Sequence, residues 1–224
     1  MPISLATLVE VEGLHHAELF RAVEPLALVG GELGAILAAL LDELGVADEP
    51  VFAGEVSPHA IVEGRVYVAE GAAVGPTAYV QGPAYIAPGA EVRHGAMVRG
   101  GLYLGPGAVC GHATEAKNAL FFDGAKAGHF AYVGDSILGR DTNLGAGTKL
   151  ANLKVDNGEV AIRDPATGAA TPTGLRKLGA LLGDGAQTGC NAVLSPGTIL
   201  FPGTAVMPCA HYRGTLREGR FPET

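Results

Sequence analysis

Between Val56 and Leu104 an aliphatic side chain returns every sixth residue without a slip: Val56, Val62, Val68, Val74, Val80, Ile86, Val92, Val98 and Leu104. Four residues after each of them stands a small or aliphatic partner: Ala60, Val66, Ala72, Ala78, Ala84, Ala90, Ala96, Leu102 and Ala108. An α-helix repeats its faces at roughly 3.6 residues and an amphipathic strand at about two, so neither produces this pattern. Period six is the mark of a parallel β-helix, in which each hexad supplies a short strand and a turn. The aliphatic residue points inward, and the small one lets neighbouring walls approach. The period returns in a shifted phase at Leu138, Leu144 and Leu150. It returns again at Leu182, Thr188, Leu194, Leu200 and Val206, with Ala186, Ala192, Thr198 and Thr204 as the small partners. Residues 155–181 carry no hexads and read as an excursion loop, a kind of segment that is usually functional or mobile.

This pattern divides the chain into a helical leader (1–50), a β-helix (51–212) with its excursion, and a C-terminal tail (213–224). In the leader, Leu33, Ile36, Leu37, Leu40, Leu41 and Leu44 fall on one helix face and Gly45 is a natural stop; a shorter helix is expected around Ala17–Val23. The 34 glycines do not recur every third residue, which excludes collagen, and 48% apolar content excludes a disordered chain. With 6% aromatic residues and no Trp, the core must be built from Ala, Val, Leu and Ile.

The net charge of −8 is unevenly placed. Residues 1–50 hold nine acidic residues and one basic residue, Arg21, whereas the rest balances with fourteen of each sign. No overall basic field is present to attract nucleic acid or an anionic lipid surface. Thirteen of the fourteen basic residues after the leader lie at or beyond Arg93, so cations can still gather locally around an anionic ligand. Cys110, Cys190 and Cys209 are odd in number and widely spaced, which is neither a disulfide framework nor a zinc motif. No basic region followed by an apolar run opens the sequence, and the apolar stretch Leu26–Leu41 reads as too short to cross a membrane. The expected compartment is the cytoplasm.

Three hexads make a coil of eighteen residues, so Arg99 and Lys117 are expected to stack, as are His94 and His112. Stacked cations repel unless an anion joins them. The two histidines read as surface residues, because no third ligand stands at metal-like spacing. The densest polar set lies in 112–154. It holds Glu115-Ala-Lys117, then Lys126-Ala-Gly-His129-Phe-Ala-Tyr132-Val-Gly-Asp135, then Asn143-Leu-Gly-Ala-Gly-Thr148, and Asn152.

These motifs, in this order and spacing, resemble the acetyltransferase half of the bacterial N-acetylglucosamine-1-phosphate uridylyltransferase family, a left-handed parallel β-helix. GLRKLGALLGD at 174–184 brings the resemblance closer to the archaeal-type sugar-1-phosphate nucleotidylyltransferases. The likeness covers roughly residues 55–210. It implies N-acetylation of an amino sugar 1-phosphate, glucosamine 1-phosphate first, by acetyl-CoA in a homotrimer, with no metal required. His129 matches the family's general base; a neutral imidazole can take the proton that keeps an ammonium from attacking a thioester. Arg99, Lys117, Tyr132 and Lys177 match the phosphate-contacting positions. Glu115, Asn143 and Asn152 match those that hold the sugar. Ala146, Cys190 and Pro208 match the acetyl-CoA contacts, where relatives more often have Ala, Ser and Ala. Leu153 stands where the bacterial enzyme has Tyr.

The first fifty residues cannot hold a nucleotide-binding α/β domain and contain no Gly-rich phosphate loop, so uridylyl transfer is not expected from this sequence. The alternative reading is a non-catalytic scaffold or regulatory trimer that binds a sugar nucleotide or a separate nucleotidyltransferase, with the acidic leader as the docking element. A metal-dependent hydrolase on the same scaffold needs three converging histidines, and the His-x4-His spacing of such relatives is absent.

Overall fold

The computed structural model describes residues 3–222. Short parallel strands wind into a β-helix with three faces. The first is a 9-stranded sheet from Glu55–Val56 through Lys126–His129 and Asn143–Leu144 to Arg220–Phe221. The second runs through Ile61–Glu63, Tyr79–Gln81, Met97–Arg99, Lys149–Leu150, Val193–Leu194 and His211–Tyr212. The third runs through Val66–Val68, Ala84–Ile86, Leu102–Leu104, Ala180–Leu182 and Thr198–Leu200. Two seven-residue strands, Glu115–Phe121 and Tyr132–Leu138, bend around the edge and join the second face to the third.

The inward column follows the hexads. Val68, Ile86, Leu104, Phe121, Leu138, Leu182 and Leu200 are register partners on successive coils, and every one of them is fully buried. Val56 and Val62, at the first coil, are only half-buried because no coil lies outside them.

Coil length explains the shifted phase. Ala84 pairs with Leu102 at the expected eighteen, but Leu102 pairs with Ala119 and Ala119 with Ser136, at seventeen. One residue is lost per coil where the polar motifs sit. The walls close correspondingly at Gly111, where a Cβ would stand 1.8 Å from the Gly128 carbonyl oxygen. The expected stacking of His94 on His112 is present, with ring centroids 4.5 Å apart and 13° between planes.

The leader contains the helix Leu33–Glu43, followed by Gly45 at φ +71°. Around Ala17 only the single 3-10 turn Ala17–Leu19 forms, shorter than the expected helix, because His16 before it is left-handed and Phe20 turns in toward the solenoid. Pro25–Glu43 is a kinked helical segment of 19 residues, longer than the apolar run suggested and apolar enough by length and composition to cross a membrane. Instead, its Leu28, Val29, Leu33, Leu37, Leu40 and Leu41 side chains are buried. All but Leu41 belong to a second core on the outside of the third face, whose outward residues Tyr67, Tyr85, Tyr103, Leu120, Ile137, Leu181 and Ile199 form an apolar stripe. Phe20 meets Tyr103 and Phe122 edge to face at 5.1 and 5.2 Å. The leader therefore packs its apolar face on its own solenoid.

The excursion leaves the coils after Lys149–Leu150 and re-enters at Ala180–Leu182, so it is inserted at the edge between the second and third faces. It contains an antiparallel hairpin, Ala161–Arg163 with Ala170–Pro172. The expected tail continues the winding: Thr215–Leu216 and Arg220–Phe221 pair with the coil below. Residues 1–2 of the leader and 223–224 of the tail lie outside the described residues.

Candidate active site

The site residues fall on the second face and the two edges that bound it. One edge is a column of tight corners. At each corner an amide donates to the carbonyl one coil below: Phe130 to His112, Gly147 to His129, Asn191 to Ala146, and Cys209 to Cys190. The donors have left-handed backbones, Phe130 at φ +53°, Gly147 at +79°, Asn191 at +57° and Cys209 at +58°. His129, Ala146, Cys190 and Pro208 thus occupy equivalent positions on four successive coils. The resemblance treated them as one base and three cofactor contacts, with no statement that they align. His129 is exposed, as are Cys190 and Pro208. Pro208 departs from the usual Ala, and Gly189 accommodates it, since a Cβ there would stand 2.3 Å from the proline nitrogen.

On the second face beside that column, Glu115 pairs in register with Tyr132, and Tyr132 with Lys149. Met97 and Val98 lie opposite Glu115 and Ala116, so Arg99 and Lys117 occupy successive positions as expected. Each cation already has a carboxylate of its own. Arg99 Nη1 donates to Glu115 Oε1 at 2.6 Å, and Lys117 Nζ lies 4.0 Å from Asp135 Oδ1. These acids relieve repulsion within the stack. The Tyr132 hydroxyl donates to Asn152 Oδ1 at 3.3 Å. Burial holds that phenol above its usual pKa, and the negative charges of Glu115 and Asp135 add to the shift. Gly134 makes room beneath this pair: a Cβ there would stand 2.6 Å from the Tyr132 hydroxyl.

Asp135 organises the far edge. It is 4% exposed, left-handed at φ +47°, and accepts from Asn118 Nδ2 at 2.9 Å and from Asn152 Nδ2. Around it opens a cavity of about 480 Å³ lined by Val29, Gly30, Gly31, Lys117, Asn118, Asp135, Leu175, Arg176 and Lys177. The returning limb of the excursion delivers the last three, anchored where the Leu178 amide donates to the Asn152 carbonyl and Lys177 bridges Leu153. Lys117, Tyr132, Asn152 and Lys177 are therefore brought to this edge, with the Arg99–Glu115 pair beside them. Asn143 is not; it points outward on the first face, between Lys126 and Gln187 on the neighbouring strands and beyond the His129 corner.

Sequence reasoning missed Asp135, Asn118 and Arg176. Asp135 and Arg176 both lie inside motifs that were singled out, but their burial and position at an edge could not be read from spacing. The leader's place in the cavity wall had no sequence signal. Among the described residues no group of three or more His, Cys, Asp or Glu is arranged to hold a metal ion.

The fold is a hexapeptide-repeat parallel β-helix, and part of the chain is similar in sequence to sugar-1-phosphate nucleotidylyltransferases and their acetyltransferase relatives. Residues 80–167 match the GMPPB C-terminal domain family. A bifunctional sugar-1-phosphate nucleotidylyltransferase/acetyltransferase of Sulfurisphaera tokodaii is 36% identical over 107 residues, which cover 48% of this chain and 26% of that protein. The bifunctional protein GlmU of Methanococcus aeolicus is 36% identical over 144 residues, 64% of this chain and 34% of that protein. The chain thus spans about a quarter to a third of the length of these curated relatives. Among solved structures, a UDP-N-acetylglucosamine acyltransferase of Francisella novicida aligns over 74% of this chain and 59% of its own, with 12% identity and a TM-score of 0.46.

Proposed function

We propose that this chain is an acetyl-CoA-dependent N-acetyltransferase of an amino sugar 1-phosphate, with glucosamine 1-phosphate as the first candidate, acting as a cytoplasmic homotrimer without a metal. The observation that carries the reading is the position of His129. Its exposed imidazole heads the corner column that continues through Ala146, Cys190 and Pro208, and it borders the face that holds Lys117, Tyr132 and Asn152. An acyl donor laid along the corners and a sugar phosphate laid on the face would meet at that ring. His129 would take a proton from the substrate ammonium. The amine nitrogen would then bond to the thioester carbonyl carbon; as the carbon–sulfur bond breaks, the nitrogen gives up a second proton and the departing sulfur takes one up, so that CoA leaves as the thiol. The small side chain of Ala146 and the compact ring of Pro208 leave the column open for an extended ligand. Asn143, across the corner, fits a site completed by a second copy of the chain. Three free cysteines fit a reducing compartment.

The test is thiol release from acetyl-CoA with a panel of amino sugar phosphates. Glucosamine 1-phosphate is expected to turn over. His129→Ala is expected to lower kcat by about 10²–10⁴-fold while leaving the fold intact. Undiminished acetylation by that variant removes the base assignment, and light scattering consistent with a monomer removes the role of Asn143.

A further inference from the structure

The cavity at the Asp135 edge has three walls from three distant parts of the chain: the solenoid edge at Lys117–Asn118, the excursion at 175–177, and the leader at Val29–Gly31. The leader wall is a kink. Gly31 has φ +143°, a conformation that side-chain-bearing residues rarely adopt, and the helix Leu33–Glu43 starts just beyond it. Gly30 lies against Leu175, so the leader and the excursion touch; a Cβ on Gly30 would stand 3.3 Å from Leu175 Cδ2. Asn118 ties the leader to the solenoid. Its amide nitrogen donates to the Val29 carbonyl at 2.8 Å and to Asp135 Oδ1 at 2.9 Å. Three cations line the space, Lys117, Arg176 and Lys177, against the single carboxylate of Asp135, whose oxygens are already engaged by two amides. Among the described residues, Arg176 and Lys177 form no ion pair. Glu32, the next acid along the leader, is not among the lining residues.

We propose that the leader is a working part of this anion site: Arg176 joins Lys117 and Lys177 in binding a phosphoryl group, and the Val29–Gly31 kink forms one wall of the cleft. Leader docking and anion binding are then coupled. An anion held by Arg176 and Lys177 fixes the excursion limb at 175–177, against which Gly30 packs, so the leader gains a fixed surface to dock on. Coupling is reciprocal, so the docked leader must tighten anion binding by the same factor. The identity of the anion as the substrate's phosphate rests on the sugar-phosphate reading; the coupling itself does not.

The experiment titrates the full chain with inorganic phosphate by calorimetry and follows amide hydrogen exchange with and without phosphate. Phosphate is expected to protect the leader amides around 28–33 together with those around 175–178. Arg176→Gln is expected to weaken phosphate binding about tenfold, the loss of a charge-assisted contact. Arg163→Gln removes the same charge from the excursion hairpin outside the cavity lining and is expected to leave binding unchanged. Asn118→Ala is expected to weaken binding and to speed exchange in the leader. The coupling is overturned if phosphate binds without protecting the leader, or if Arg163→Gln weakens binding as much as Arg176→Gln. It is overturned equally if no phosphate binds. None of these readings uses acetyl-CoA. Leader protection with no acetyl transfer would sink the acetyltransferase proposal alone. Acetyl transfer with an unchanged sugar-phosphate KM in Arg176→Gln would sink this one alone.

Discussion

Replacing Asp135 isolates the polar knot that joins the site to the fold. The carboxylate accepts from Asn118 at 2.9 Å and from Asn152, with Lys117 Nζ at 4.0 Å, and it is almost fully buried. Asp135→Ala leaves the Asn152 amide without its acceptor, strips Asn118 down to its Val29 carbonyl contact, and leaves a part-buried ammonium without its countercharge. Breaking a buried set of this kind from one side costs about 3–5 kcal/mol. Lys117 retains access to water, which draws the value toward the lower end. The backbone adds to it, because φ is +47° and alanine pays about 1 kcal/mol more than Asp or Asn in the left-handed region. A loss of about 4 kcal/mol is expected in total. Asp135→Asn keeps the backbone tolerance and one acceptor oxygen but turns a donor toward other donors, so a loss of about 1–2 kcal/mol is expected. Urea unfolding of the three proteins, with m unchanged, measures both values. The same order, wild type then Asn then Ala, is expected in sugar-phosphate affinity. A stability within about 0.5 kcal/mol of wild type for Asp135→Ala would refute the reasoning, as would an Asn variant weaker than the Ala variant.

Other expectations follow from particular contacts. Maleimide labelling of the native protein at neutral pH should modify the exposed Cys190 and Cys209 and spare Cys110, whose burial pushes its thiol up to about 12; acetyl-CoA should slow labelling at Cys190 if the donor runs along the corners. Equal labelling of all three would contradict the packing. Phe20→Ala deletes a fully buried ring that meets Tyr103 and Phe122, and should cost about 3–5 kcal/mol, read as faster hydrogen exchange throughout the leader. Burial pushes the Tyr85 phenol up to about 12, and raises Tyr103 as well, against about 10 in the unfolded chain. Because the folded values are raised, this contribution to stability is complete below about pH 10 and is lost as pH rises toward 12. Absorbance titration at alkaline pH alongside leader exchange checks it, and a leader that loosens between pH 7 and 9 would argue against it.

How much the residues announced, and where they fell silent, follows from the range of the forces involved. Period six from Val56 to Leu104 is a local rule repeated nine times, so the β-helix was legible without any knowledge of distant contacts. The His94–His112 and Arg99–Lys117 stacks followed from coil length alone, and the helix that begins at Leu33 and stops before Gly45 followed from the local spacing of its apolar residues. The motif residues His129, Tyr132 and Asn152 stood out through their resemblance to the acetyltransferase family's motifs, within the densest polar stretch of the sequence.

What the tertiary structure decided depends on contacts between segments far apart in the chain. The shift in phase after Leu104 showed that something had changed, but only the register revealed two coils one residue short, with Gly111 pressed against Gly128. The tyrosines at 67, 85 and 103 look like outward solenoid positions until the leader covers them. Asp135 and Arg176 gained their meaning when the excursion returned beside the Asn118 edge and the leader kink formed the third side. A sequence records which side chains can face in or out along a regular coil, because that choice is made within six residues. Which charges share one pocket is set by how three separate segments pack, and no local period encodes that packing.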